Sequence, residues 1–104
     1  MLTPQWALGW SQCKWGYLNL DEVKQVVHNY TEFQLPLDTQ WSDIDYLNNY
    51  QDFTYDPVNY KGLGEFVDYL HSQNKHYIPI IDAGVAVRKG YKAYEDGVEQ
   101  NVFI

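Results

Sequence analysis

The chain has 104 residues, the size of one domain, which rules out a second folded unit. An apolar share of 45% and an aromatic share of 17% exclude the sparse hydrophobicity of a disordered segment. A net charge of -7 repels phosphate backbones and anionic lipid heads, so no nucleic acid and no membrane is expected as a partner, and a neutral or cationic ligand fits better.

The single cysteine, Cys13, has no second cysteine with which to close an intrachain disulfide. It also lacks a Cys or His at zinc-ligand spacing, which leaves a small packed side chain as the expectation. No apolar run approaches the ~20 residues of a membrane-spanning helix, and the first ten residues lack a basic stretch followed by an apolar one. Asn29-Tyr30-Thr31 matches the glycosylation sequon, a triplet common by chance.

In chain order, residues 6–10 (WALGW) are apolar and aromatic and read as a first buried strand, followed by a loop, SQCKWGYLN, that contains a glycine. Asn19 with Glu22 three residues on is a capping-box start. Val23, Val26, Val27 and Tyr30 then give one apolar face to a helix running to about Phe33, with Lys24, Gln25 and His28 toward water. Residues 35–41 are extended, with Pro36 tolerated at the beginning of a second strand that ends near Asp43. Residues 45–59, polar and aromatic and broken by Asp56-Pro57, form a long ordered loop. Leu63, Phe66, Val67 and Leu70 repeat the helical spacing, and residues 76–81 make a third strand closed by Asp82-Ala83-Gly84.

Strands separated by single helices pair in parallel through right-handed crossovers. A doubly wound sheet would carry a glycine-rich phosphate turn after its first strand, and Gly9 and Gly16 are too far apart for it. A TIM barrel instead sets aromatic and acidic residues just past its strand ends, where Trp15, Asp43, Asp45 and Asp82 fall. The fold class is therefore α/β, the N-terminal portion of a (β/α)8 barrel with three parallel strands and two intervening helices. A whole barrel takes about 250 residues, so the chain is expected to be one truncated part of a barrel domain, with its edges and apolar faces exposed.

The densest constellation is Gln40-Trp41-Ser42-Asp43-Ile44-Asp45-Tyr46. If the strand persists, period two turns Trp41, Asp43 and Asp45 to one side, toward the barrel mouth. Paired carboxylates there can act as glycosidase acid and nucleophile, hold a divalent cation, or accept hydrogen bonds from sugar hydroxyls beside a stacking indole; they can also simply cap a loop. No Lys or Arg lies between Lys24 and Lys61, yet Asp38, Asp43, Asp45, Asp52 and Asp56 do, so neutralisation is expected from a distant Arg, a metal or substrate hydroxyls. His28, His71 and His76 share no face and read as surface or loop histidines, so neither a metal site nor a cofactor is expected. Gly-x-Ser-x-Gly and phosphate-loop signatures are missing.

Taken together, WALGW, Gln12-Cys13-Lys14-Trp15-Gly16-Tyr17, LPLDTQWSDIDYL, Asp52-Phe53-Thr54 and YIPIIDAGVA resemble glycoside hydrolase family thirty-one over the whole chain, in its α-glucosidase branch. The resemblance implies a retaining exo-α-glucosidase, a secreted or lumenal setting, and an α-glucoside oligosaccharide as substrate. By the same resemblance Trp15, Asp43 and Ile44 line the pocket for the terminal glucose, Trp41 supports it, and Val85 is an aliphatic wall after the third strand. Asp45 anchors the loop and Asp82 is a supporting residue. The family's nucleophile lies in a Trp-x-Asp-Met-Asn-Glu segment after strand four and its acid/base further on, so no catalytic residue is expected among these 104. Lys14 stands where Arg is common in the family and Ala83 where some members have Pro. The alternative is a non-catalytic sugar-binding relative or an inactive barrel fragment. A chitinase-like barrel would need a Glu two residues after Asp45, where Leu47 stands, and a nucleotide-sugar transferase would need phosphate signals.

Overall fold

The computed structural model describes residues 2–104. Three strands, β1 (Ser11–Gln12), β2 (Thr39–Ser42) and β3 (His76–Pro79), form one parallel sheet in the order β1-β2-β3. The register pairs Ser11 with Thr39 and Gln12 with Gln40, then runs from Thr39 with His76 to Ser42 with Pro79. The helices are α1 (Leu20–Glu32), α2 (Leu63–Ser72) and α3 (Lys92–Glu99), the last lying beyond the expected elements. Strand order that follows chain order, with α1 and α2 sharing one core, is the winding of a barrel; in a doubly wound sheet the order reverses at a switch point.

α1 begins as the capping pattern predicts: the Asn19 side chain accepts the Glu22 N–H at 3.0 Å. The Glu22 carboxylate accepts the Leu18 N–H at 3.0 Å, one residue before the reciprocal partner of an ideal capping box. Leu20, Val23 and Val27 are buried and meet Phe66 and Leu70 of α2 in one core with Tyr17, Tyr46 and Tyr60. All three helices close with the same hydrogen-bonded reversal, built on a left-handed residue that is not glycine: Gln34, Asn74 and Asn101, with φ of 54° each. The Leu35 N–H reaches Tyr30 O at 2.9 Å and the Lys75 N–H reaches Leu70 O at 2.9 Å, which turns the chain back toward β2 and β3.

The first strand is not where the apolar run places it. Residues Gln5–Leu8 form a 3-10 turn with no buried residue, and pairing begins only at Ser11. Pro4 presets the turn (φ -65°), and Ala7 N–H to Pro4 O and Gly9 N–H to Trp6 O, both 3.1 Å, close it. The aromatic content of WALGW serves other contacts. Trp6 stacks on His76 with ring centroids 3.9 Å apart, so His76 is neither a surface nor a loop histidine. Trp10 Nε1 donates to the Tyr30 hydroxyl at 2.8 Å, and that hydroxyl donates to Gln12 Oε1 at 2.7 Å. A Cβ on Gly9 would lie 2.1 Å from Asp38 Oδ2, the same oxygen that accepts the Trp10 N–H at 2.9 Å. The glycine thus permits the close approach that brings the first strand against the second.

Candidate functional site

Parallel strands deliver their following loops to one edge of the sheet, and that edge collects the residues singled out by the sequence. After β1 the chain passes through Cys13, Lys14 and Trp15 to Gly16, whose φ of 99° makes the turn. Trp15 is 70% exposed, an indole held out of the core. Cys13 is exposed as well, which corrects the expectation of a packed side chain. Because β1 pairs with β2, Cys13 and Asp43 follow adjacent strand ends, and partial burial together with that carboxylate pushes the thiol up.

β2 stops at Ser42, and this changes the Asp43/Asp45 pair. Asp43 is extended but already caps a 3-10 turn over Ile44–Tyr46, its Oδ1 accepting the Ile44 N–H at 2.7 Å. The two acids therefore do not alternate along a strand, and the shared side expected from period two is lost past Trp41. Asp45 Oδ2 accepts the Gly16 N–H at 2.7 Å, tying the turn that carries Trp15 to the turn that carries Asp43. Asp43 and Ile44 are half-buried, and Trp41, 39% exposed, lies on the sheet face opposite the buried Gln40 and Ser42.

After β3, Ile80 continues the ladder by one bond, its N–H to Ser42 O at 3.0 Å. Asp82 is exposed and Val85 half-buried on the excursion that leads to Tyr91. The Asp82 N–H donates to Asp52 Oδ1 at 3.1 Å, while the Tyr46 hydroxyl donates to Ile80 O at 2.7 Å and the Tyr91 hydroxyl to Asp52 O at 2.8 Å.

Within these 104 residues the five acids between Lys24 and Lys61 are met by backbone amides. Among the described residues none of them pairs with Lys or Arg. Each instead accepts a backbone N–H: Asp38 from Trp10, Asp43 from Ile44, Asp45 from Gly16, Asp52 from Asp82, Asp56 from Val58 and Asn59. Those bonds hold the Asp56 carboxyl below its ordinary range, the Asn59 and Val58 amides being the main causes. Asp43 stands apart because its carboxylate's only partner is the adjacent amide; its Oδ2, like the second oxygens of Asp38, Asp45 and Asp52, accepts no hydrogen bond among the described residues.

A cavity of about 710 Å³ lies elsewhere, between α2 and the helix-facing side of β3, lined by Leu63, Val67, Asp68, His71, Tyr77 and Pro79 among others. An apolar groove on that side of a barrel sheet is a seat for helix packing, whereas ligands meet barrels at the strand ends. Among the described residues no three of His, Cys, Asp and Glu gather as metal ligands, and no helix is long and apolar enough to cross a membrane. Sequence reasoning gave Asp52 no role; its signal was the Asp52-Phe53-Thr54 motif together with the lack of a nearby cation.

Sequentially ordered parallel strands, with α1 and α2 sharing one core and aromatic and acidic residues at the strand ends, define part of a (β/α)8-barrel domain. Residues 1–104 match the glycosyl hydrolases family 31 TIM-barrel domain, and the chain belongs to that family. It is 42% identical over 110 residues to Glucoamylase 1 of Schwanniomyces occidentalis, covering 97% of this chain and 12% of the relative. It is 41% identical over 108 residues to the α-glucosidase of Schizosaccharomyces pombe, covering 95% and 11%. The crystal structure of glucosidase II α subunit bound to α3-Glc2 superposes with a TM-score of 0.87 at 26% identity, covering 92% of this chain and 10% of that one. The chain thus spans about 12% of the length of the curated relatives it matches.

Proposed function

We propose that these residues form part of the catalytic barrel of a retaining exo-α-glucosidase, where they bind the terminal glucose and leave the covalent chemistry to carboxylates outside the 104. The supporting observation is that Trp15, Asp43 and the Asp82–Val85 loop all follow C-terminal strand ends of one parallel sheet in a family 31 barrel. In this reading Asp43 accepts glucose hydroxyls through its free oxygen. Trp15 covers the sugar's C–H face and excludes water, Ile44 and Val85 supply apolar wall, and Trp41 supports the pocket from the barrel interior. Asp45 holds the Trp15 turn, and Asp82 supports the third loop. Retaining hydrolysis needs two carboxyls about 5–5.5 Å apart across the scissile bond. Asp45, the nearest acid to Asp43 in sequence, is committed to the Gly16 amide and makes a poor second member of such a pair.

The test is Asp43→Asn in the protein produced from its complete reading frame, with maltose as substrate. A charge-assisted hydrogen bond of ~1.5–3 kcal/mol that tightens as the ring flattens corresponds to a loss in kcat/KM of roughly 10- to 100-fold. Asp21→Asn, whose side chain on α1 is 94% exposed, is the control. Equal and small effects of the two substitutions would make the Asp43 turn purely structural. Glucose binding without hydrolysis by the wild type would make the protein a non-catalytic relative.

A further inference from the structure

Asp52 is a carboxylate only 5% exposed, without a cation partner among the described residues and without a part in sugar recognition as proposed above. Taking a charge out of water calls for compensation, and here it comes from the loop that follows β3. The Asp52 side chain accepts the Asp82 N–H at the start of that loop (3.1 Å), and its backbone carbonyl accepts the Tyr91 hydroxyl at the end (2.8 Å). Tyr91 is itself buried, so the second contact is shielded from water. The neighbouring Tyr46 hydroxyl adds a bond to Ile80 O at 2.7 Å. The platform beneath Asp52 is built by the rest of its motif: Thr54 Oγ1 accepts the Asn48 N–H at 3.0 Å and donates to Gln51 O at 2.5 Å. Phe53 takes a left-handed φ of 60°, a conformation unfavourable for a bulky residue and retained here between those anchors.

We propose that Asp52 is a positioning residue that staples both ends of the excursion between Ile80 and Tyr91, and thereby fixes the place of Val85 at the mouth of the barrel. The Asp52-Phe53-Thr54 motif is then the device that registers the loop after β3 against the loop after β2. The kinetic part of the proposal rests on the glucosidase reading; the structural part does not.

The experiment compares Asp52→Ala and Asp52→Asn with wild type, all produced from the complete reading frame, by amide hydrogen exchange and by steady-state kinetics on maltose. Asp52→Ala removes the side-chain acceptor of the Asp82 N–H while the backbone carbonyl keeps the Tyr91 hydroxyl, so exchange speeds selectively in the part of residues 80–91 next to Asp82, leaving the Tyr91 end and α1 protected. Asn keeps an acceptor oxygen and restores protection. A wall that contacts substrate equally in ground and transition states contributes uniform binding, so Asp52→Ala raises KM by roughly 5-fold with kcat within about 2-fold, and Asn recovers most of that change. Loss of folded enzyme would instead lower kcat at constant KM. Unchanged exchange in residues 80–91, exchange that rises equally throughout, a fall in kcat alone, or failure of Asn to restore would each overturn the proposal. A wild type inactive on α-glucosides would remove the glucosidase reading while the exchange measurement still decides the role of Asp52.

Discussion

At the residue scale the protein handles buried and half-buried acids through backbone amides rather than through cations. The consequence is directional: Asp38, Asp45 and Asp52 each tie their own turn to a second segment, through Trp10, Gly16 and Asp82, whereas Asp56 closes its own turn through Val58 and Asn59. Asp43 likewise stays within its own turn, its carboxylate bonded only to the next residue at the end of β2. Its charge is felt by Cys13, whose thiol is raised first by burial and then by that carboxylate. Fewer thiolates form at neutral pH, and the thiolate is the reacting species. Alkylation of Cys13 by iodoacetamide should therefore run slower than that of a free cysteine at pH 8. Asp43→Asn should speed it by lowering the thiol pKa, and unchanged rates, followed by mass spectrometry, would separate the two side chains.

At the element scale the sheet's helix-facing side decides how the fold answers to alkali. β3 turns Tyr77 into the layer between sheet and helices, and burial pushes its phenol up to about 12. Tyr60, fully buried, is raised further, chiefly by burial, and its hydroxyl donates to Tyr17 O at 2.6 Å. The unfolded phenols ionise near 10, so the native state binds more protons above that pH. The stabilisation is fully present below pH 10 and is lost as pH rises toward 12 through the native value of Tyr77. Urea unfolding between pH 9 and 12 should show this decline, and Tyr77→Phe should make it shallower; an identical slope would mean that Tyr77 ionises freely in the fold. Helix α1 and its cap were legible in the sequence because a capping pair and an apolar stripe are local. The 3-10 turn at Gln5–Leu8 was not, because a short apolar run carries no information about whether its aromatic rings face a strand partner or the His76 ring.

At the scale of the whole molecule the chain is open. Its radius of gyration is 16.0 Å, against about 13 Å for a compact domain of this length, and its extents are 49 × 38 × 22 Å. β1 and β3 each have one unpaired edge, and Trp10, Trp15, Trp41, Phe53 and Ile81 present large apolar surface. Expressed as these 104 residues, the protein should associate: light scattering should give a mass that rises with concentration, with binding of a hydrophobic dye. A sharply melting monomer at micromolar concentration would contradict this expectation.

By itself the sequence determined the alternation of helix and strand, the parallel sheet, the barrel winding and the family, because each rests on local periodicity or on motifs that stay contiguous along the chain. It also brought Trp15, Asp43, Asp45 and Asp82 to strand ends. Only the tertiary structure decided what these residues do to one another. A two-residue β1 and a four-residue β2 end the pleat before Asp43, so period two cannot carry the Asp43/Asp45 pair to a common side. Contacts such as Asp45 with Gly16 and Asp52 with Asp82 join residues 29 and 30 positions apart, and they exist because parallel crossovers return successive strand ends to the same edge.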